Sequence, residues 1–264
     1  MSHVRAALDL YLNAAKSALT GFPNTLLALA VLVVGAVSLV AVEMLFLEPM
    51  GANSLIAGIC RSVGSALFVS TYLSLINMWV QAKRGTLFRH LRSHAGNLLW
   101  PFIYILFFFW MVEFVASFVP HSASWLLVVA AGIVVNPAPE IVYQERGEGF
   151  GTVQQAFEFM GKNWPEWLVM QLPFVALLAG WSVIAQYPLV PRTFGELWLN
   201  SGPRFELLNI ASAYMSAGLQ GRILPPLLGL LLLALAHGWM LFRGHVFREL
   251  SKGNRRLRAW QSRM

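Results

Sequence analysis

The sequence predicts an all-α polytopic integral membrane protein: six transmembrane helices arranged as three hairpins, with amphipathic helices at the cytoplasmic interface. Three observations predict it. Hydrophobic residues make up 57% of the 264 and charged residues only 12%, about half the charged share of a soluble domain. The apolar residues collect in six stretches, each near the ~20 residues that cross a hydrocarbon core of ~30 Å as a helix. The basic residues between those stretches fall mostly on one side. A water-soluble core cannot absorb that apolar excess, and a single membrane domain accounts for residues 1–264.

Residues 2–20 form the first element. Val4, Ala7, Leu8, Tyr11, Leu12, Ala15 and Leu19 share one face at helical spacing, with Arg5, Asp9, Asn13 and Lys16 opposite. Ser2 can cap this helix, and Gly21 with Pro23 ends it. The first span, about 24–47, is too long and too late for a cleaved signal peptide and is expected to stay in the protein. A tight link, Glu48–Asn53, leads to the second span at about 54–80.

Residues 86–95 read as a shorter, basic surface helix carrying Leu87, Phe88 and Leu91, followed by Gly96 and Pro101. The third span, about 98–119, and the fourth, about 124–143, are joined by Pro120–Ala123. Within the fourth, Asn136-Pro-Ala-Pro-Glu140 removes two backbone donors and pushes Asn136 and Ala138 from helical geometry, so the span should break or kink there.

Thr152-Val-Gln-Gln155 has the form of a capping box opening a third surface helix, with Val153, Ala156, Phe157, Met160 and Trp164 as its apolar stripe. Gly161 and Pro165 then precede the fifth span, about 164–187, in which Pro173 is a second possible kink. Residues 188–222 read as an outer interfacial segment, the sixth span is about 223–246, and 247–264 is a basic cytoplasmic tail. Surface helix, glycine, proline and hairpin thus recur three times. A tandem repeat and three ordinary hairpins with amphipathic linkers fit this pattern equally well.

Orientation follows from the charges, because loops rich in Lys and Arg stay cytoplasmic. Of the nineteen Lys and Arg residues, fifteen lie in the first helix, the 83–92 and 146–162 segments and the C-terminal stretch from Arg243. Only Arg192, Arg204 and Arg222 lie opposite, with Arg61 inside the second span. Both termini therefore face the cytoplasm, in a membrane of the bacterial inner type. The net charge of +7 points to anionic lipid headgroups beside the spans and not to nucleic acid.

The chain resembles the YciC-like six-helix membrane proteins and the membrane domain attached to some glycerophosphodiester phosphodiesterases. Asn136-Pro-Ala-Pro-Glu140, the stretch from Gly149 to Trp167, and Phe242-Arg-Gly-His-Val-Phe-Arg248 carry that resemblance, over about a third of the chain. It implies a six-span layout and brings no catalytic residues with it.

Charges inside a span cost ~2.5–3.5 kcal/mol or more at its centre, so each needs a partner or water. Glu43, Arg61 and Glu113 lie at similar depths near the outer face and can meet. They read as an ion-paired clamp for the first three spans, or as a site for an ion, a proton or a charged headgroup. Asn136, Pro137, Pro139 and Glu140 read as an early helix end with Glu140 and Tyr143 at the interface, or as the broken helix of a transporter site. His237 sits near mid-membrane as a packing histidine or a proton relay.

Trp100, Trp164, Trp167 and Trp198 read as interfacial anchors. His90 and His94 have zinc-like spacing but basic neighbours and no acid between them, so no metal is expected, nor any cofactor. Cys60 is the single cysteine, which rules out an internal disulfide. No catalytic motif is present. The sequence therefore points to an accessory or scaffold subunit, without activity of its own, that docks a partner protein or anionic lipid through Lys252, Arg255, Arg256, Arg258 and the surface helices. A secondary transporter or channel is the alternative.

Overall fold

A computed structural model of the chain describes residues 2–21, six positions between 26 and 34, and residues 55–81, 87–145, 149–173 and 224–261. It is all-helical, with no strand among the described residues. The helices run α1 (Ser2–Gly21), α2 (Leu55–Val80), α3 (Leu87–Ala116), α4 (His121–Val135), α5 (Ala138–Glu145), α6 (Gly151–Val169) and α7 (Leu224–Gln261). Among the described residues one stretch, Gly96–Ala116 within α3, is long and apolar enough to cross a membrane.

Helix α2 packs along α3, α3 turns at Ser117–Pro120 into α4, and α1 lies against α7. At the centre sits α5, only eight residues long, touching α2, α3, α6 and α7. Ala138, Glu140, Ile141, Val142 and Tyr143 are all buried, so from Ala138 to Tyr143 this helix shows no solvent face, as befits a helix enclosed by others. Around it Leu73, Ile76, Phe102, Ile105, Phe159, Trp167, Val246 and Phe247 complete one core.

Several local expectations change. Residues 86–95 are not a separate surface helix: α3 runs unbroken through Gly96 and Pro101. Proline removes one rung of the hydrogen-bond ladder, and a 30-residue helix has rungs on both sides to carry it past. Helix α1 forms over the expected residues but packs through Ala14 and Ala18, while Leu8, Leu12 and Leu19 stay more than half exposed. Small residues let the backbones of α1 and α7 approach, and a leucine face cannot.

In α6 the buried side is Val153, Ala156, Phe159, Met160, Asn163 and Trp167, leaving Phe157 and Trp164 exposed. The capping box is not made. Helix α6 begins at Gly151 after Phe150, and among the described residues no side chain caps it and the buried Thr152 hydroxyl has no hydrogen-bond partner. Asn163 leaves helical geometry two residues before Pro165, and its side-chain amide donates to the Phe159 carbonyl at 3.0 Å. The expected tail from 247 continues α7 as helix to Gln261.

Candidate functional site

The fourth apolar stretch is interrupted at Asn136 and Pro137, between α4 and α5. The interruption lies in the hydrogen bonds and not in the torsions. Asn136 keeps right-handed helical angles, φ −49° and ψ −39°, and Ala138 already opens α5, so neither is displaced as the prolines led one to expect. Pro137 offers no N–H, and the Ile133 carbonyl takes the Asn136 N–H at 3.4 Å instead. Pro139 falls in the first turn of α5, where a missing donor is tolerated.

The Asn136 carbonyl accepts from Arg243 Nη2 at 3.0 Å. The same nitrogen reaches Asn136 Oδ1 at 3.0 Å and Glu140 Oε2 at 3.0 Å, while Arg243 Nε donates to Glu140 Oε1 at 3.1 Å. Both charged side chains are wholly buried, at 0% exposure. From α6, Trp167 Nε1 donates to Asn136 Oδ1 at 2.9 Å, and Gln171 Nε2, just past the end of that helix, lies 3.4 Å from the same oxygen. Arginine and indole nitrogens only donate, so the atom facing them has to be the amide oxygen. The guanidinium lies 5.0 Å from the centre of the Trp167 ring, close enough for cation–π attraction.

Four segments are tied here: the α4–α5 break, α5, the α6 end and α7. Planar two-point pairing of guanidinium and carboxylate is the strong form of such a contact. A passing ion or headgroup would have to compete with this pairing for Glu140 or Arg243.

The residues expected at the interface are packed among helices. Glu140 and Tyr143 are inside the bundle, as is Trp167, which is no surface anchor. Arg243 was missed as a site residue, being counted among the cytoplasmic charges. Its signal was local: Leu224 to Phe242 carries no charge, and Val246 and Phe247 follow within four residues. Arg248, by contrast, behaves as a helix-end cation, donating to the Val80 carbonyl at the C-terminus of α2 at 2.6 Å.

His237 is buried on α7, its Nδ1 3.0 Å from the Tyr72 hydroxyl and its ring edge-on to Trp79 at 5.2 Å. Nε2 has no hydrogen-bond partner among the described residues, and the Tyr72 and Trp79 contacts tie the ring to α2. Below it the helices nearly touch. A Cβ added at Gly244 would lie 2.5 Å from the Tyr143 hydroxyl and 2.8 Å from Val80 Cγ2.

On the surface, Tyr11 donates to the Glu166 carbonyl at 2.7 Å and so pins α1 to α6. Burial, with the Glu166 charge adding to it, raises the Tyr11 pKa above its ordinary value. Lys252 is exposed and pairs with Glu249 at 2.7 Å. Glu43, Trp198 and segment 188–222 lie outside the described residues, as do the side chains of Arg61, His90, His94, Glu113, Arg255, Arg256 and Arg258. No group of three metal-ligating side chains occurs among the described residues. No protein-family model, curated protein or solved structure matches the chain.

Proposed function

We propose that the chain is a six-span membrane subunit with both termini cytoplasmic, an accessory or scaffold without chemistry of its own that docks a partner protein at its cytoplasmic face. The observation that carries this reading is the closure of the Asn136–Glu140–Arg243 knot. A transporter would offer the polar groups of a broken helix to its cargo. Here Asn136 and Glu140 are held by Arg243, Trp167 and Gln171, which suits a clamp. The three segments that carry the family resemblance are also the three that meet in the knot.

The docking face is the end of α7 beyond Arg248. Lys252, Arg255, Arg256 and Arg258 follow one another there on a helix continuous with the knot, a basic rod suited to an acidic protein surface or anionic headgroups. Purification from mild detergent should recover a stoichiometric protein partner, and reversing Arg255, Arg256 and Arg258 to Glu should release it. A chain that purifies alone and moves ions or solutes across reconstituted vesicles would overturn this function in favour of transport.

A further inference from the structure

The exposed edge of α6 has a line of its own. Phe150, just before the helix, then Phe157 ahead of the Asn163 kink and Trp164 just after it are each half exposed or more. Gln154, Glu158 and Lys162 run beside them as an exposed polar line, with Gln154 Nε2 3.3 Å from Glu158 Oε1. The opposite side of α6 is buried against the bundle.

What covers the aromatic line follows from where it leads. The Phe150 ring lies 5.2 Å from Tyr104 and 6.1 Å from Phe107. Both are exposed members of an aromatic ladder along α3 and the turn after it, in which Phe107 neighbours Trp110, Trp110 stacks on Phe114, and Phe114 meets Phe118 at 5.0 Å. That ladder is the outward face of Gly96–Ala116, the stretch suited to crossing a membrane. Counted from Trp100, the exposed residue expected at the interface, at a rise of ~1.5 Å per residue, Tyr104 and Phe107 lie roughly 6 and 10 Å along it. Phe150 therefore lies in the leaflet on that side, at the depth of about 5–10 Å reached by the apolar face of an interfacial helix. From there α6 crosses the bundle to α7, where Phe159 stacks on Phe247 at 4.7 Å.

We propose that α6 lies in the plane of the membrane, with Phe150, Phe157 and Trp164 among the acyl chains of the leaflet at the Gly96 end and Gln154, Glu158 and Lys162 at headgroup level. Its partner on that edge is lipid. The aromatic rings supply the buried area, and a lysine beside them suits the headgroup zone of an interfacial helix. This rests on the membrane reading above and adds a place and a depth for α6.

The test uses the full chain with Cys60→Ser, reconstituted in vesicles of phosphatidylcholine and phosphatidylglycerol, with single spin-labelled cysteines at Phe157, Trp164, Glu158 and Phe114. Collisions are measured with oxygen, which partitions into lipid, and with a water-soluble nickel chelate. The oxygen-to-nickel ratio should be several-fold higher at Phe157→Cys and Trp164→Cys than at Glu158→Cys, and should match that at Phe114→Cys. Equal ratios at 157, 164 and 158 would place the edge in water and overturn the proposal. Exclusion of both reagents at 157 and 164 would mean a protein covers the edge, which overturns it equally. A water-like ratio at Phe114→Cys would bring down the membrane reading itself, so the two failures are distinguishable.

Discussion

Arg243 meets Glu140 with two parallel contacts, Nε to Oε1 at 3.1 Å and Nη2 to Oε2 at 3.0 Å, in a place neither shares with solvent. Removing one member of such a pair leaves the other charge buried alone, which costs about 3–5 kcal/mol, whereas replacing both with apolar groups of similar size is often neutral. Arg243→Met and Glu140→Leu should each lower the thermal midpoint in detergent sharply, and the double variant should recover most of the loss. Equal damage in the double would mean the ion pair itself contributes net stability.

Asn136 Oδ1 takes three donors and the carboxamide nitrogen has no part in those contacts. Asn136→Asp keeps an oxygen at that point and should be tolerated. Asn136→Leu leaves the Trp167 and Gln171 donors unsatisfied, at about 1–3 kcal/mol for each buried group. Chemical denaturation of the two variants side by side checks the order; if Asp destabilises more than Leu, the added charge outweighs the retained bonds.

At Gly244 α7 packs tightly against α2 and α5. Gly244→Ala should cost ~1–3 kcal/mol through overpacking, because the new methyl meets the Tyr143 hydroxyl and Val80. Adding Tyr143→Phe removes the nearer obstacle and should restore part of the loss. Full stability in Gly244→Ala alone would show that the helices can part without penalty.

The Tyr11 hydroxyl anchors α1 to α6 through one neutral hydrogen bond, a contact of the kind worth about 0.5–1.5 kcal/mol. Tyr11→Phe should speed proteolytic removal of α1 and leave the rest of the fold intact. The Tyr11 pKa is raised in the folded chain by burial and then by Glu166. Its contribution is therefore complete below the unfolded tyrosine pKa of about 10 and is lost as pH climbs past it toward the folded value. Protease sensitivity of α1 should rise above about pH 10 in the parent chain, and the Tyr11→Phe variant should lack that step.

Much of this architecture was legible locally. Helix α1 and the interruption at Asn136 and Pro137 follow from the helical spacing and from backbone donors that proline lacks. Which face of a helix is buried was less legible, because hydrophobicity points at the leucines of α1 while close helix contact selects Ala14 and Ala18. The knot needed the fold. Glu140, Trp167 and Arg243 come from three separate segments, and a charge count treats Arg243 and Arg248 alike although one neutralises a buried carboxylate and the other closes a helix end.

The separation of 103 residues between Glu140 and Arg243 also sets an order of events during synthesis. At ~5–20 residues per second, the carboxylate leaves the ribosome roughly 5–20 s before its guanidinium exists. For that interval the nascent bundle carries Glu140 without Arg243. The arrival of α7 is thus the step that makes the earlier helices electrically complete, and a chain that stops short of Arg243 never reaches it.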